Sequence, residues 1–209
     1  MQTSAAIDIG SNTIRVVVAH GSPDTLEVLA TDEALVRIGE SVNATGQISA
    51  QKRTDTLTVL RRHLALAAQY DAAPVLAIAT EAIRKATDRD DFIAQIQHET
   101  GLTVQIIAGD VEAVLTFYGA TYGLHHIPDA PTHVAVMDLG GGSTELVLAE
   151  QMHMTWHTSL AIGSGQIHDR FLMNDPPTAE DLSVARTFLD TYFAGLAIKH
   201  VPSTLLATG

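Results

Sequence analysis

Three consecutive glycines between two apolar strands constrain this chain more tightly than any other stretch. From His133 to Ala149 it reads HVAVMDLGGGSTELVLA. A β-favouring run, Val134 to Met137, leads to Asp138. Gly140, Gly141 and Gly142 follow, then Ser143, Thr144 and Glu145, which opens a second apolar run, Leu146 to Ala149. Strand, glycine turn and strand make a hairpin whose turn has no side chains in the way. Two residues suffice for an ordinary hairpin turn. Three glycines between Asp and Ser-Thr-x-Glu point instead to a backbone that closes on phosphate oxygens, with the Ser143 and Thr144 hydroxyls as further donors. Asp138 and Glu145 flank the turn, where the two carboxylates can hold a divalent cation against the same phosphates.

The device occurs a second time. Ala5 to Ala19 is again an apolar strand, an aspartate (Asp8), a turn of Gly10, Ser11 and Asn12, and an apolar strand. Two copies about 130 positions apart imply two related lobes facing one polyphosphate. Strand-like and helix-like segments alternate throughout, so the expected class is α/β. Pro128 and Pro131 mark the expected lobe boundary, giving a first lobe of 1–127 and a second of 128–209.

Composition narrows the chemistry. Twelve Lys and Arg against 24 Asp and Glu give a net charge of −12, which disfavours a nucleic-acid polymer as partner and leaves no long basic groove. Phosphate must be held locally, by backbone amides, an arginine or two and a cation. With no cysteine there are no disulfides and no thiolate metal site. No stretch reaches the ~18 apolar residues of a membrane span, and no signal segment precedes the first strand. A cytoplasmic protein that meets no membrane is the expectation.

Along the chain, Thr25 to Thr31 reads as a strand after a turn over Gly21 to Asp24. Asp32 to Gly46 reads as a loop with a short strand at Ala34 to Ile38. Ser49 to Tyr70 reads as a helix with Leu57, Leu60, Leu64 and Ala67 inward and Arg53, Arg61 and Arg62 on a solvated face. A strand at Val75 to Ala79 delivers Thr80 and then Arg84, a phosphate clamp or a surface arginine. Helix and strand follow, from Asp88 and Leu102. At Gly109 a helix opens with Glu112 in its first turn, a capping charge or a catalytic base. Its expected inward face carries Val111, Val114 or Leu115, Tyr118 and Tyr122. Beyond the glycine hairpin come a third strand, a short helix after Gly163, and a last helix that Thr178 and Asp181 open as a capping box, with Leu182, Ala185, Leu189, Tyr192 and Leu196 inward. The ten histidines show no ligand spacing, and P-loop, dinucleotide-binding and G-x-S-x-G motifs are absent.

AIDIGSNTIRVVVA, TDEALVRIGESVNATGQIS, ATEAIRKA, GLTVQIIAGDVEA, VMDLGGGSTELVL and SLAIGSGQIHDRF, in that order, resemble the exopolyphosphatase and guanosine pentaphosphate phosphohydrolase family. That family belongs to the superfamily of actin, sugar kinases and heat-shock ATPases. The resemblance implies two ribonuclease-H-like lobes with a cleft between them. Residue by residue, it implies that Glu112 activates the attacking water. Asp138 and Glu145 match the acids that hold a divalent metal, Mg²⁺ or Mn²⁺; Asp8 joins them as a candidate on charge alone, since Asp8, Glu112, Asp138 and Glu145 converging on a polyphosphate would repel it without a cation. Ser11 and Asn12, with Gly140, Gly141, Gly142 and Ser143, form two phosphate loops, and Arg84 is the arginine after the first-lobe strand. The substrate is polyphosphate or guanosine pentaphosphate (pppGpp), and a homodimer stays open. Val111 and Val114 stand where the family carries acidic and arginine neighbours of the glutamate, and Gln166 where it carries an arginine. A non-catalytic polyphosphate- or pppGpp-binding regulator and a small-molecule kinase of the same superfamily are the alternatives.

Leu205 to Gly209 resembles the opening of the family's second-lobe Thr-Gly-Gly-Thr motif, so the second lobe is expected to be truncated. An open sheet without its helical cover exposes apolar surface. The 209-residue chain is accordingly expected to bind the dye ANS or to self-associate; a cooperative, dye-free monomer in sedimentation and melting experiments is the contrary result.

Overall fold

The computed structural model describes residues 2–22, 25–196, 198 and 200–209, with the backbone alone at His125 and His126. The chain divides into two units, Met1–Ala108 and Gly109–Gly209.

In the first unit, β1 (Gln2–Ile9), β2 (Thr13–Ser22) and β3 (Thr25–Leu35) form an antiparallel meander. After α1 (Ile38–Thr45) and α2 (Ala50–Gln69), β4 (Val75–Ala79) returns parallel to β1. Then α3 (Glu81–Lys85) and α4 (Arg89–Thr100) lead to β5 (Val104–Ile106), parallel to β4. The sheet order is β3-β2-β1-β4-β5. Alternation explains the core: Ala5, Ile7 and Ile9 pair with Val18, Val16 and Ile14, share one face of the pleat, and join Leu57, Leu60 and Ala67 of α2 in one buried cluster. Ser49 starts α2 by accepting a hydrogen bond from the Lys52 amide, and Gly101, at φ 73°, stops α4 in the left-handed conformation.

The second unit begins with α5 (Gly109–Thr121) and a 3-10 turn (Tyr122–His126). β6 (His133–Leu139), β7 (Thr144–Glu150) and β8 (His153–Leu160) form another antiparallel meander, and α6 (Ser164–Phe171) and α7 (Ala179–Ala194) precede β9 (Thr204–Thr208), parallel to β6. The order β8-β7-β6-β9 repeats the third-second-first-fourth order of the first unit. Ala113 and Phe117 of α5 pack with Val134, Val136, Val147 and Ala149 of the hairpin. Among the described residues no helix is long and apolar enough to cross a membrane.

The division after Ala108 differs from the expected 127/128 boundary, because α5 buries its core residues on the second sheet. Residues 38–45 are helix α1 where a loop and short strand were expected: Arg37 takes a left-handed conformation that redirects the chain, and Ile38 and Val42, one turn apart, are buried. The buried face of α5 is also different. Ala113, Phe117 and Thr121 point inward, while Val111, Leu115 and Tyr118 are exposed. Apolar residues cover all but a narrow strip of this helix, so helical periodicity selects no single inward face among them. Of the α7 stripe only Ala185 is buried. The turn over Gly21 to Asp24 includes Pro23 and Asp24, which lie outside the described residues, as do the side chains of His125 and His126.

Arg53 is not merely solvated. It reaches the Asp88 carboxylate at 2.6 Å, and the Ile48 amide donates to the same group at 3.1 Å. Burial pushes the Asp88 carboxyl up, but the hydrogen bonds from Arg53 and Ile48 outweigh it and hold the carboxyl below its ordinary value. His63 is fully buried, with Nε2 3.3 Å from Asp32. Burial first, with Arg62 nearby, lowers the imidazole below its usual 6.5 despite the pull of Asp32. The unfolded chain therefore binds a proton near pH 6.5 that the folded chain refuses, and stability declines as pH falls below that value. The melting temperature should drop between pH 7 and pH 5, by less in His63→Phe than in the parent; equal slopes in thermal melts would remove His63 from the account.

Candidate functional site

The second glycine turn is fixed by its own chain. Gly140 N–H donates to the Ser143 carbonyl at 3.0 Å, closing the hairpin. The carbonyls of Gly140 and Gly141 accept from the amides of Ser164 and Gly165, at 2.9 and 3.0 Å, in the first turn of α6. The Ser164 hydroxyl adds a bond to Gly140 at 3.1 Å, and Thr144 donates to the Ile162 carbonyl at 2.6 Å. Gly163 precedes α6, and a Cβ there would lie 2.5 Å from the Gly141 carbonyl carbon and 2.6 Å from the Gly142 nitrogen. Its φ of −142° suits any residue, so glycine is required here for space alone.

The first turn is built the same way. Gly10 N–H donates to Thr13 at 3.0 Å; the Ser11 carbonyl accepts from Gly39 at 2.8 Å, and the Asn12 carbonyl from Val36 and Arg37 at 2.9 and 2.7 Å. Each turn thus takes its hydrogen bonds from amides at or beside an Ile-Gly step after the third strand of its unit, Ile38–Gly39 or Ile162–Gly163. Neither the repeated step nor its role was among the sequence expectations, though the repetition was there to read.

The expected phosphate ligands of the first unit have definite surroundings. Ser11 is buried; its hydroxyl donates to Glu81 at 3.3 Å and accepts from the Ala82 amide at 3.2 Å. Glu81 is itself buried and ion-paired with Lys85. The Ser11 side chain is therefore directed at α3, while Asn12 beside it is half-buried. Arg84 donates to the Ile107 carbonyl at 2.6 Å. Asp8, expected among the metal acids, pairs across the hairpin with Arg15, which bonds Glu33 at 3.2 Å. That hairpin carries one acid opposite a base.

The second hairpin carries two acids. Asp138 stands directly opposite Glu145, Glu145 opposite Ser159 on β8, and Asp138 beside Thr208 on β9. Paired positions share a face, so a row of polar side chains crosses all four strands at the C-terminal ends of β6 and β9. Open α/β sheets hold ligands at this end. Glu145 is 1% exposed and accepts the Ser159 hydroxyl at 2.7 Å. Asp138 is half-buried and accepts the Thr116 hydroxyl at 3.2 Å. Glu112 lies one turn before Thr116 on the same side of α5. The second unit alone therefore assembles Glu112, Thr116, Asp138, Glu145, Ser159 and the Gly140–Ser143 turn.

Among the described residues no group of three or more His, Asp or Glu side chains forms a metal-ligand set. Mg²⁺ retains several waters and is commonly held by one or two carboxylates plus substrate phosphates. The Asp138–Glu145 pair beside the glycine turn fits the two-carboxylate part of that donor set. Thr116 and Ser159 were missed from sequence, although Thr116 follows Glu112 by four and strand pairing puts Ser159 beside Glu145.

The sequence model of the Ppx/GppA phosphatase family matches residues 16–207. The chain belongs to that family. Exopolyphosphatase 2 of Mycobacterium tuberculosis is 33% identical over 98% of this chain, which spans 65% of the length of that relative. The crystal structure of the Aquifex aeolicus Ppx/GppA family member superposes on 100% of this chain and 66% of its own, with a TM-score of 0.78 and 30% identity. An exopolyphosphatase from Cytophaga hutchinsonii covers 94% of this chain and 61% of its own, at a TM-score of 0.81 and 26% identity. The two units have the actin and ribonuclease-H-like fold of these structures.

Gly163→Ala should displace the Gly140–Ser143 turn, because the added methyl would overlap the Gly141–Gly142 peptide, which is backbone and cannot swing aside. The expected loss is about 1–3 kcal/mol of stability, read from denaturant unfolding; a variant as stable as the parent would show that the turn can shift without cost.

Proposed function

We propose that this chain is a phosphohydrolase that releases terminal phosphate from inorganic polyphosphate, with pppGpp as a second substrate. The observation that carries the reading is the Asp138–Glu145 pair, opposite one another at the base of the Gly140–Ser143 turn, with Glu112 one turn from Thr116, whose hydroxyl meets Asp138. The names of its relatives as exopolyphosphatases support the choice of polyphosphate. The net charge of −12 favours short chains over a long polymer.

In the reaction, a water attacks the terminal phosphorus in line as the bond to the bridging oxygen breaks. Glu112 takes the proton of that water. The Gly140–Ser143 backbone holds the phosphate oxygens, its peptide planes fixed by α6. Asp138 and Glu145 would hold the cation, Mg²⁺ or Mn²⁺, which when bound offsets negative charge on those oxygens. Without it two carboxylates beside a polyanion would repel the substrate.

A binding protein that does not hydrolyse is the second reading. It is favoured by Val111, 45% exposed beside Glu112, and by the neighbouring Val114, because neither can tune a carboxylate or contact phosphate.

Phosphate release from polyphosphate, pppGpp and ATP separates these readings. Release should stop in EDTA and return with Mg²⁺ or Mn²⁺, and Glu112→Gln should lower kcat by about 10²–10⁴ with little change in KM. Undiminished turnover in EDTA or in Glu112→Gln would overturn the mechanism, and tight polyphosphate binding without release would favour the second reading.

A further inference from the structure

The hydroxyl of Thr116 is out of keeping with its place in a helix. A threonine inside a helix ordinarily donates to the carbonyl four residues back, and this chain follows the rule repeatedly. Thr54, Thr58, Thr100, Thr121, Thr187 and Thr191 bond the carbonyls of Ala50, Thr54, Ile96, Phe117, Ser183 and Thr187 at 2.7–3.0 Å. Thr116 instead donates across to Asp138 Oδ2 at 3.2 Å, from α5 to the end of β6. On the other side of the acid pair, Ser159 donates to Glu145 Oε1 at 2.7 Å, the short distance of a hydroxyl on a carboxylate. One acid is thus held from the helix above the sheet, the other from the neighbouring strand.

We infer that Thr116 and Ser159 are positioning residues for the Asp138–Glu145 pair: each donates its one hydroxyl proton to a carboxylate and so orients that carboxylate for a divalent cation. Thr116 has a further effect. It ties to Asp138 the same face of α5 that carries Glu112 one turn earlier, so the proton acceptor and the cation-binding acid keep a common register. Groups that orient ligands in this way typically contribute 10–100-fold to metal affinity. The inference rests on the cation-assisted reading above.

The test is Mn²⁺ titration of the metal-free full chain, read from the electron paramagnetic resonance of free Mn²⁺. Thr116→Val preserves shape and removes the donor, and Ser159→Ala does the same for Glu145. Each should weaken binding by about 10–100-fold without lowering the melting temperature by more than a few degrees, whereas Thr116→Ser should bind within about threefold of the parent. In an Asp138→Asn background, Thr116→Val should cause no additional loss, as expected of residues acting through one another. Should Thr116→Val fail to fold, Thr116→Ser and Ser159→Ala carry the decision. Parent-like affinity in Thr116→Val and Ser159→Ala, or in Ser159→Ala alone where Thr116→Val does not fold, would overturn the inference and leave the cation reading intact. A parent chain that binds no Mn²⁺ would overturn both.

Discussion

Within each unit, the glycine turn depends on where its carbonyl groups find their partners. A turn free of side chains is flexible by default, since glycine peptides rotate easily. Here the carbonyls of Ser11, Gly140 and Gly141 are bound by amides in the first turn of the helix that follows the third strand of their unit, and that of Asn12 by the two residues just before that helix. Backbone groups near a core need partners, and these bonds supply partners for a helix start and a turn at once. The arrangement requires the two segments to touch, which is why Gly39 and Gly163 stand where a Cβ would press on the turn. Rigidity comes from across the unit and not from the turn itself.

The two hairpins have the same frame and different electrostatics. In the first, Asp8 faces Arg15; in the second, Asp138 faces Glu145. An acid opposite a base is close to neutral, whereas two acids side by side repel unless something positive or hydrogen-bonding lies between them. Ser159 and Thr116 supply part of that compensation. Burying Glu145 to 1% exposure would otherwise be costly, because an ionised group out of water needs close partners.

What could be read from the sequence was what is local. Both hairpins, the α2 helix after Ser49, the Gly101 stop and the capping box of Thr178 and Asp181 depend on residues within a few positions of one another, and all are present. The pairing of Asp138 with Glu145 follows from the turn length. Elements set by distant partners were less legible. Gly39, Glu40 and Gly46 look like loop residues until Ile38 and Val42 find the core of the first unit. Thr116 and Ser159 reveal themselves only once α5 and β8 lie beside the hairpin. The choice of which face of α5 turns inward was undecidable from a helix that is apolar around most of its circumference.

That last choice reverses the usual expectation of which positions on a helix are replaceable. On α5 the small Ala113 is wholly enclosed, while the bulky Val111, Leu115 and Tyr118 face outward. Conservatism by size or hydrophobicity would rank Ala113 as the safest position to vary and Tyr118 as the riskiest. Enclosure ranks them the other way: a methylene added at Ala113 wedges α5 off the sheet and carries Glu112 and Thr116 with it, whereas a longer side chain at 118, 62% exposed, has room to extend. Variation among homologues at this helix is therefore better weighed by the space around each side chain than by its chemical similarity.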